Sequence, residues 1–266
     1  PKVLQKGYDG IILDIDAQLA KLRDEETEKR DFLHAARHTL VTAREVPLRY
    51  AALAAEAASR EENIDRKAEL LEIARICRKV PMQPAETFQE ALQSVWFTHM
   101  LLHSTLSFTP LGRVDQYPYP YYKADKDAAR LTREHAAELI ASFLVKFNER
   151  TQFLKEHMEN HSWMGDWSQG GDPNEPTTTF DMENSADYTY GQSANHWLQS
   201  AIVGGLGPDG KDATNALSYL LTEINNRLAL DNPMPGARVY PGSQKDYQQF
   251  TPDDPCLGGQ QPVPLN

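Results

Sequence analysis

The sequence predicts an α/β chain in which helices dominate the first hundred residues and short strands enter only afterwards. Three observations carry this. Ile11, Ile12, Ile15, Leu19 and Leu22 recur at helical spacing among largely polar positions. The apolar run Ala201-Ile202-Val203 leads into a glycine-rich turn and then a helix-like segment from Ala213 to Leu228. A second short run, Gly236-Ala237-Arg238-Val239-Tyr240, reads as another strand.

Taken in order, the Ala-rich stretch Tyr50–Ser59 continues the opening helical character. Glu61–Val80 is an amphipathic helix with Leu70, Ile73, Ala74 and Cys77 on one side, ended by Pro81 and Pro84. Thr87–His103 resumes as a more apolar, buried helix. Phe108–Asp127 holds Tyr117, Tyr119, Tyr121 and Tyr122 with Pro118 and Pro120 between them. It has no helical period, and an irregular or extended segment is expected. Leu131–Asn148 is a helix with Ala137, Ile140, Phe143, Leu144 and Phe147 inward, Thr132 as its cap and Glu134 in its first turn. Glu156–Asn195 is a long polar stretch, and loops of that length in compact domains are usually functional. The tail from Pro241 fits no element, and no internal repeat is present.

Composition narrows the function. With 38 acidic against 27 basic residues the formal charge is −11, which argues against non-specific nucleic-acid binding. No run approaches the ~20 apolar residues of a bilayer-spanning helix. Two cysteines make no disulfide framework and suit a reducing compartment. A cytoplasmic protein is expected, which makes the Asn160-His161-Ser162 acceptor sequence accidental. The opening at Pro1, in polar helical sequence, suggests a piece of a longer polypeptide.

The stretch Gly204–Asn215, GGLGPDGKDATN, contains G-x-G-x-x-G at Gly205, Gly207 and Gly210, and also G-x-x-x-x-G-K ending at Lys211. Position 212 is Asp where a phosphate loop needs Ser or Thr, and Pro208 removes a backbone donor. For a dinucleotide fold, Asp231 lies near the expected spacing but follows a helix rather than a strand. The stronger reading is a turn at Pro208-Asp209-Gly210, with Asp212 or Thr214 capping the next helix.

Other constellations read as structural. His99 and His103 share the i, i+4 spacing of zinc ligands, but no Glu follows His99 and the neighbours are apolar. His157 and His161 flank Glu159 at a position that zinc proteases do not use. Cys77 is a small core residue. Asp253 and Asp254 would raise the Cys256 thiol pKa, the wrong direction for a nucleophile. No metal or cofactor site is expected. The tyrosine cluster reads as packing.

Four stretches in sequence order resemble the glycyl radical enzymes, the family of pyruvate formate-lyase and the radical diol dehydratases. They are RKAELLEIARICRKVPMQPAETFQEALQSVWF (Arg66–Phe97), GRVDQYPYPYYKAD (Gly112–Asp125), LTREHAAELIASFLVKFNE (Leu131–Glu149) and VGGLGPDGKDATNALSYLLTEI (Val203–Ile224). The resemblance implies a ten-stranded barrel in a helical shell, with residues 1–106 as outer helices and 107–266 supplying the first barrel strands, their helices and a long polar loop. The glycine turn would sit between a barrel strand and its outer helix. An activating enzyme using S-adenosylmethionine and an iron–sulfur cluster would install the glycyl radical; no cofactor would bind this chain directly. A small-molecule substrate and a homo-oligomer are implied as well.

Cys256-Leu257-Gly258-Gly259 differs from the family's Gly-Cys-Val setting, and Arg238-Val239-Tyr240 lacks the glycine of its radical loop. Both spin carriers are therefore expected outside this chain, which alone would be inactive, and no catalytic residue is assigned. Trp163–Gln192 is the stretch expected to touch substrate if any does, whereas burial of Arg113 and Asp115 would mark a structural ion pair at a barrel end. The low polarity of His103–Pro110 points first to fumarate-adding enzymes of the benzylsuccinate synthase type or to arylacetate decarboxylases, with dehydratases also considered. Two rivals stand beside this reading: a nucleotide-binding oxidoreductase built on Gly205–Gly210, and a non-catalytic helical interaction module.

Overall fold

The computed structural model of the chain describes residues 1–103, 109–148, 201–228, 235–240, 242–250 and 263–265. The chain divides into two compact units, one of residues 1–106 and 117–132, the other of residues 107–116 and 133–266.

The first unit is helical. Its elements are α1 (Lys2–Leu19), α2 (Thr27–Ala43), α3 (Glu45–Arg60), α4 (Ile64–Lys79), α5 (Phe88–His103) and α6 (Tyr119–Asp127). Gly7, at φ 65°, breaks the regular geometry of α1. The N–H groups of Tyr8 and Asp9 turn away to Pro81 O (2.8 Å) and Met82 O (3.0 Å). A Cβ at position 7 would lie 2.2 Å from Met82 O, so only glycine fits. The proline break after α4 is thus docked onto the start of the chain.

Small residues let α3 approach α4: Ala51, Ala54 and Ala58 are buried. Ala51, Cys77 and Phe97 form one core cluster. Leu4, Ile76, Val80, Ala85 and Ala91 form another, with Tyr117 and Tyr121 packed against it. Full burial of a large apolar side chain contributes ~1.5–3 kcal/mol, and α2, which buries no residue, gains none of this.

The extended reading of Phe108–Asp127 is corrected by α6. Pro118 is the residue before the helix, and Pro120 sits in its first turn, where a missing N–H costs no helical bond. The prolines start a helix instead of preventing one. Asp125 in α6 is buried and accepts from Phe88 N (2.7 Å), capping α5, while Arg130 holds its other oxygen (2.7 Å).

The second unit is α/β. Strands β1 (Gly112–Arg113), β2 (Ala201–Gly204), β3 (Pro235–Arg238) and β4 (Val263–Leu265) form a parallel sheet in that order. Helix α7 (Arg133–Asn148) lies between β1 and β2, α8 (Ala216–Leu228) between β2 and β3, and α9 (Lys245–Phe250) between β3 and β4. Parallel neighbours need such crossovers. Ile140, Phe143, Leu144 and Phe147 of α7 are buried as the periodicity predicts, but the fully buried alanine is Ala136, one turn before Ile140. Leu217, Leu220, Leu221 and Ile224 bury the facing stripe of α8. The glycine turn lies between β2 and α8, where the resemblance places it.

Candidate functional site at the carboxyl edge of the sheet

In parallel α/β sheets ligands bind beyond the carboxyl ends of the strands. Here that edge is formed by the residues after β1, the turn after β2 and the end of β3. Val114 extends β1, donating its N–H to Ile202 O (3.1 Å). The next residue, Asp115, is 0% exposed. Its Oδ2 accepts from Gly204 N–H (2.7 Å) and Ser218 Oγ (2.5 Å), and its main-chain carbonyl accepts from Asn215 Nδ2 (3.1 Å). Gln116 Nε2 donates to Ala213 O (2.9 Å). The Arg113 guanidinium donates to Leu206 O (2.6 Å) and Gly204 O (2.7 Å). The Gly-Arg-Val-Asp-Gln run therefore clamps the glycine turn from three side chains.

Asp115 is buried and Arg113 partly so, but the structural ion pair that burial of both would mark is not formed between them. Arg113 uses its planar fork on two carbonyls that the left-handed turn presents together. Burial pushes the Asp115 carboxyl above the ordinary range, while Ser218, Gly204 N–H, Gln116 and the Arg113 charge pull it back. The carboxyl also lies at the amino-terminal turn of α8, whose dipole favours negative charge. Its Oδ1 has no hydrogen-bond partner among the described residues.

Asn215, not Asp212 or Thr214, caps α8. Its Oδ1 accepts from Leu217 N (2.9 Å) and Ser218 N (3.3 Å), and Ser218 Oγ accepts from Asn215 N (3.0 Å). This is a reciprocal capping box with Ser in the place of Glu. Asp212 instead closes a local turn, accepting from Thr214 N and Oγ1, and its other oxygen takes Gln244 N (3.0 Å).

The nucleotide reading of the glycines fails on the fate of the backbone donors. Gly207 N bonds Lys211 O (2.7 Å), Gly210 N bonds Gly207 O (3.0 Å) and Ala213 N bonds Gly205 O (2.8 Å). Gly204 N is taken by Asp115. These bonds commit glycine N–H groups of the kind that a phosphate cradle would use to the turn itself and to Asp115. Gly204 and Gly205, at φ 70° and 83°, serve close approach: a Cβ on Gly204 would lie 3.0 Å from Arg238 O and from the Tyr247 ring. Burial raises the Tyr247 phenol pKa strongly.

The other sequence candidates fall elsewhere. Cys77 is buried, and burial pushes its thiol up to about 11, so it is not a nucleophile at neutral pH. His99 is buried in α5. Among the described residues no three His, Cys, Asp or Glu side chains converge as a metal site. The His103 side chain, His157, Glu159, His161, Trp163–Gln192, Asp231 and Cys256 lie outside the described residues. What the sequence reading missed is the buried Glu90 of α5, held by Arg75 and Lys79, and the Asn215-x-x-Ser218 cap, which its spacing does signal.

The sequence profile of the pyruvate formate lyase-like family matches residues 1–253. The chain belongs to the glycyl radical enzyme family. It is 32% identical over 256 residues to the isethionate sulfite-lyase of Desulfovibrio desulfuricans, covering 92% of this chain and 27% of that protein. It is 29% identical over 259 residues to the trans-4-hydroxy-L-proline dehydratase of Clostridioides difficile, covering 93% and 28%. The glycerol-bound B12-independent glycerol dehydratase of Clostridium butyricum superposes with a TM-score of 0.74 at 31% identity, covering 94% of this chain and 28% of that one. The chain thus spans 27–28% of the length of these curated relatives. The four stretches that carry the resemblance fall on α4–α5, β1–α6, α7 and β2–turn–α8.

Proposed function

We propose that this chain forms part of the wall of a glycyl radical enzyme's reaction barrel, in a catalytic subunit that cleaves a carbon–heteroatom or carbon–carbon bond of a small organic substrate. The observation that carries this is the clamp of Arg113, Asp115 and Gln116 on Gly204, Leu206 and Ala213 of the glycine turn, at the edge where parallel sheets present ligands. The glycyl radical, installed by an S-adenosylmethionine-dependent activating enzyme, would be the source of the unpaired electron for hydrogen-atom abstraction. This chain's own residues shape and hold the edge: Arg113 and Asp115 fix the turn, and the Asn215–Ser218 box fixes the start of α8. Arg113, Asp115 and Gln116 are engaged in holding the turn, and the reacting groups are assigned to the rest of the complete subunit.

The names of the relatives favour elimination, as from isethionate or trans-4-hydroxy-L-proline. The fumarate-adding and arylacetate-decarboxylating readings depend on His103–Pro110, where residues 104–108 lie outside the described residues. The proposal brings with it the activating enzyme as partner, a homo-oligomer and a cytoplasmic setting; no helix among the described residues is long and apolar enough to cross a membrane. The test is anaerobic incubation of the activated complete subunit with isethionate, trans-4-hydroxy-L-proline and glycerol. Release of sulfite, or dehydration of either alcohol, is expected for at least one. Turnover of none by a subunit carrying its radical would contradict the proposed substrate class.

A further inference from the structure

We infer that Arg238 is an oxyanion-recognition residue, and that the substrate is a small organic carboxylate or sulfonate. This rests on the proposed function and narrows it. Arg238 is the last residue of β3, paired with Gly204 in the sheet register, so it stands at the carboxyl edge. Side chains alternate along a strand. Ala237 is 0% exposed and, with Ala201 and Val203, faces the interior of its unit. Ile202, Gly236 and Arg238 lie on the opposite face, which is only partly covered.

Two features separate Arg238 from a loose surface arginine. Its stem is seated on Gly205: a Cβ there would lie 2.9 Å from Arg238 Cβ and 3.0 Å from its Cδ. The left-handed glycine therefore makes room for the aliphatic chain and restricts where the head can go. The head is also unmatched. Arg113, on the same edge, has its guanidinium fixed on two carbonyls. Arg75, Arg130, Arg133 and Arg227 each meet a carboxylate. The exposed Arg238 guanidinium has no hydrogen-bond or ion-pair partner among the described residues. In a chain of net charge −11, a seated and unneutralised guanidinium beside a ligand-presenting edge is suited to a bidentate pair with carboxylate or sulfonate oxygens. Asp212 accepts from Thr214 and Gln244, and no ion pair joins it to Arg238 among the described residues.

The experiment is calorimetric titration of the complete, unactivated subunit with isethionate, trans-4-hydroxy-L-proline and glycerol, for wild type, Arg238→Gln and Arg238→Lys. At least one of the two anions should bind more tightly than glycerol. Arg238→Gln should weaken that binding by about tenfold to a hundredfold, the range of a lost charge-assisted pair. Arg238→Lys, which keeps the stem and the charge but not the fork, should fall between. Thermal midpoints and the yield of glycyl radical after activation should match wild type. Unchanged anion affinity in Arg238→Gln, binding of glycerol alone, or binding of none of the three overturns the inference. Failure of the family-level reading would show separately, as an activated wild-type subunit with no radical.

Discussion

Glu90 of the first compact unit and Asp115 of the second are both buried carboxylates, and the two are held by different chemistry. Glu90 of the first unit, 1% exposed, is met by cations: Lys79 Nζ at 2.8 Å and the Arg75 guanidinium at 3.1 Å, with Glu86 N–H at 2.9 Å. Asp115 of the second, 0% exposed, is held by neutral donors, Gly204 N–H and the Ser218 hydroxyl. For Glu90, burial raises the pKa but the Lys79 and Arg75 partners and the Glu86 N–H more than offset it, leaving it below the ordinary range. For Asp115, burial outweighs the donors and the pKa rises. Burial alone therefore does not decide the protonation of a carboxyl; the charge of its partners does.

The largest effect should come from removing the charge-paired acid. Glu90→Ala should cost about 3 kcal/mol, because breaking a buried ion pair leaves its partners uncompensated; Arg75 and Lys79 keep Glu72 and Glu86, which holds the loss to the low end. Glu90→Gln should recover little, since its amide donors face cations. Asp115→Ala should cost roughly 2–3 kcal/mol by orphaning Gly204 N–H and the Ser218 hydroxyl. Asp115→Asn should cost about 1 kcal/mol or less, as its amide oxygen keeps both donors and its nitrogen takes the place of the partnerless Oδ1. Thermal denaturation of the complete subunit checks this order; equal losses for Glu90→Gln and Asp115→Asn would erase the distinction between the two sites.

Acid titration sharpens it. The lowered pKa of Glu90 gives stability that is present above the ordinary value of 4.5 and is lost as pH falls through the folded-state pKa. The raised pKa of Asp115 acts oppositely: its contribution is full below 3.8 and is lost as pH rises through the folded-state pKa. On acidification from neutral pH, the deficit of Glu90→Gln relative to wild type should therefore shrink, whereas wild type should gain on Asp115→Asn. Melting curves of the three proteins across this window decide it, and parallel curves would contradict the assignment. Ser218→Ala should cost about 1 kcal/mol, comparable to Asp115→Asn, with the Asp115 carboxyl titrating higher still once one of its donors is gone.

The same contrast shows what was legible in the sequence. The helices α4, α5, α7 and α8 and the strand β2 follow from apolar periodicity and length. Helix α6 was hidden because Pro118 and Pro120 read as breakers, although both sit where a helix tolerates them. Strand β1 has two residues, too few for any periodic signal, and exists because β2 pairs with it. The clamp was invisible for a related reason: the donors to Asp115 lie 89 and 103 residues away. Arg113 and Asp115, two apart in the chain, suggested a mutual ion pair, but each found partners in the glycine turn. Glu90 lies 11 and 15 residues from Lys79 and Arg75, on another helix, beyond local charge patterning.

The most direct measurement is electron paramagnetic resonance of the complete subunit after anaerobic treatment with a radical S-adenosylmethionine activating enzyme. A doublet from a backbone glycyl radical, abolished by oxygen, is the predicted result. A properly activated complete subunit that shows no such signal would contradict the account.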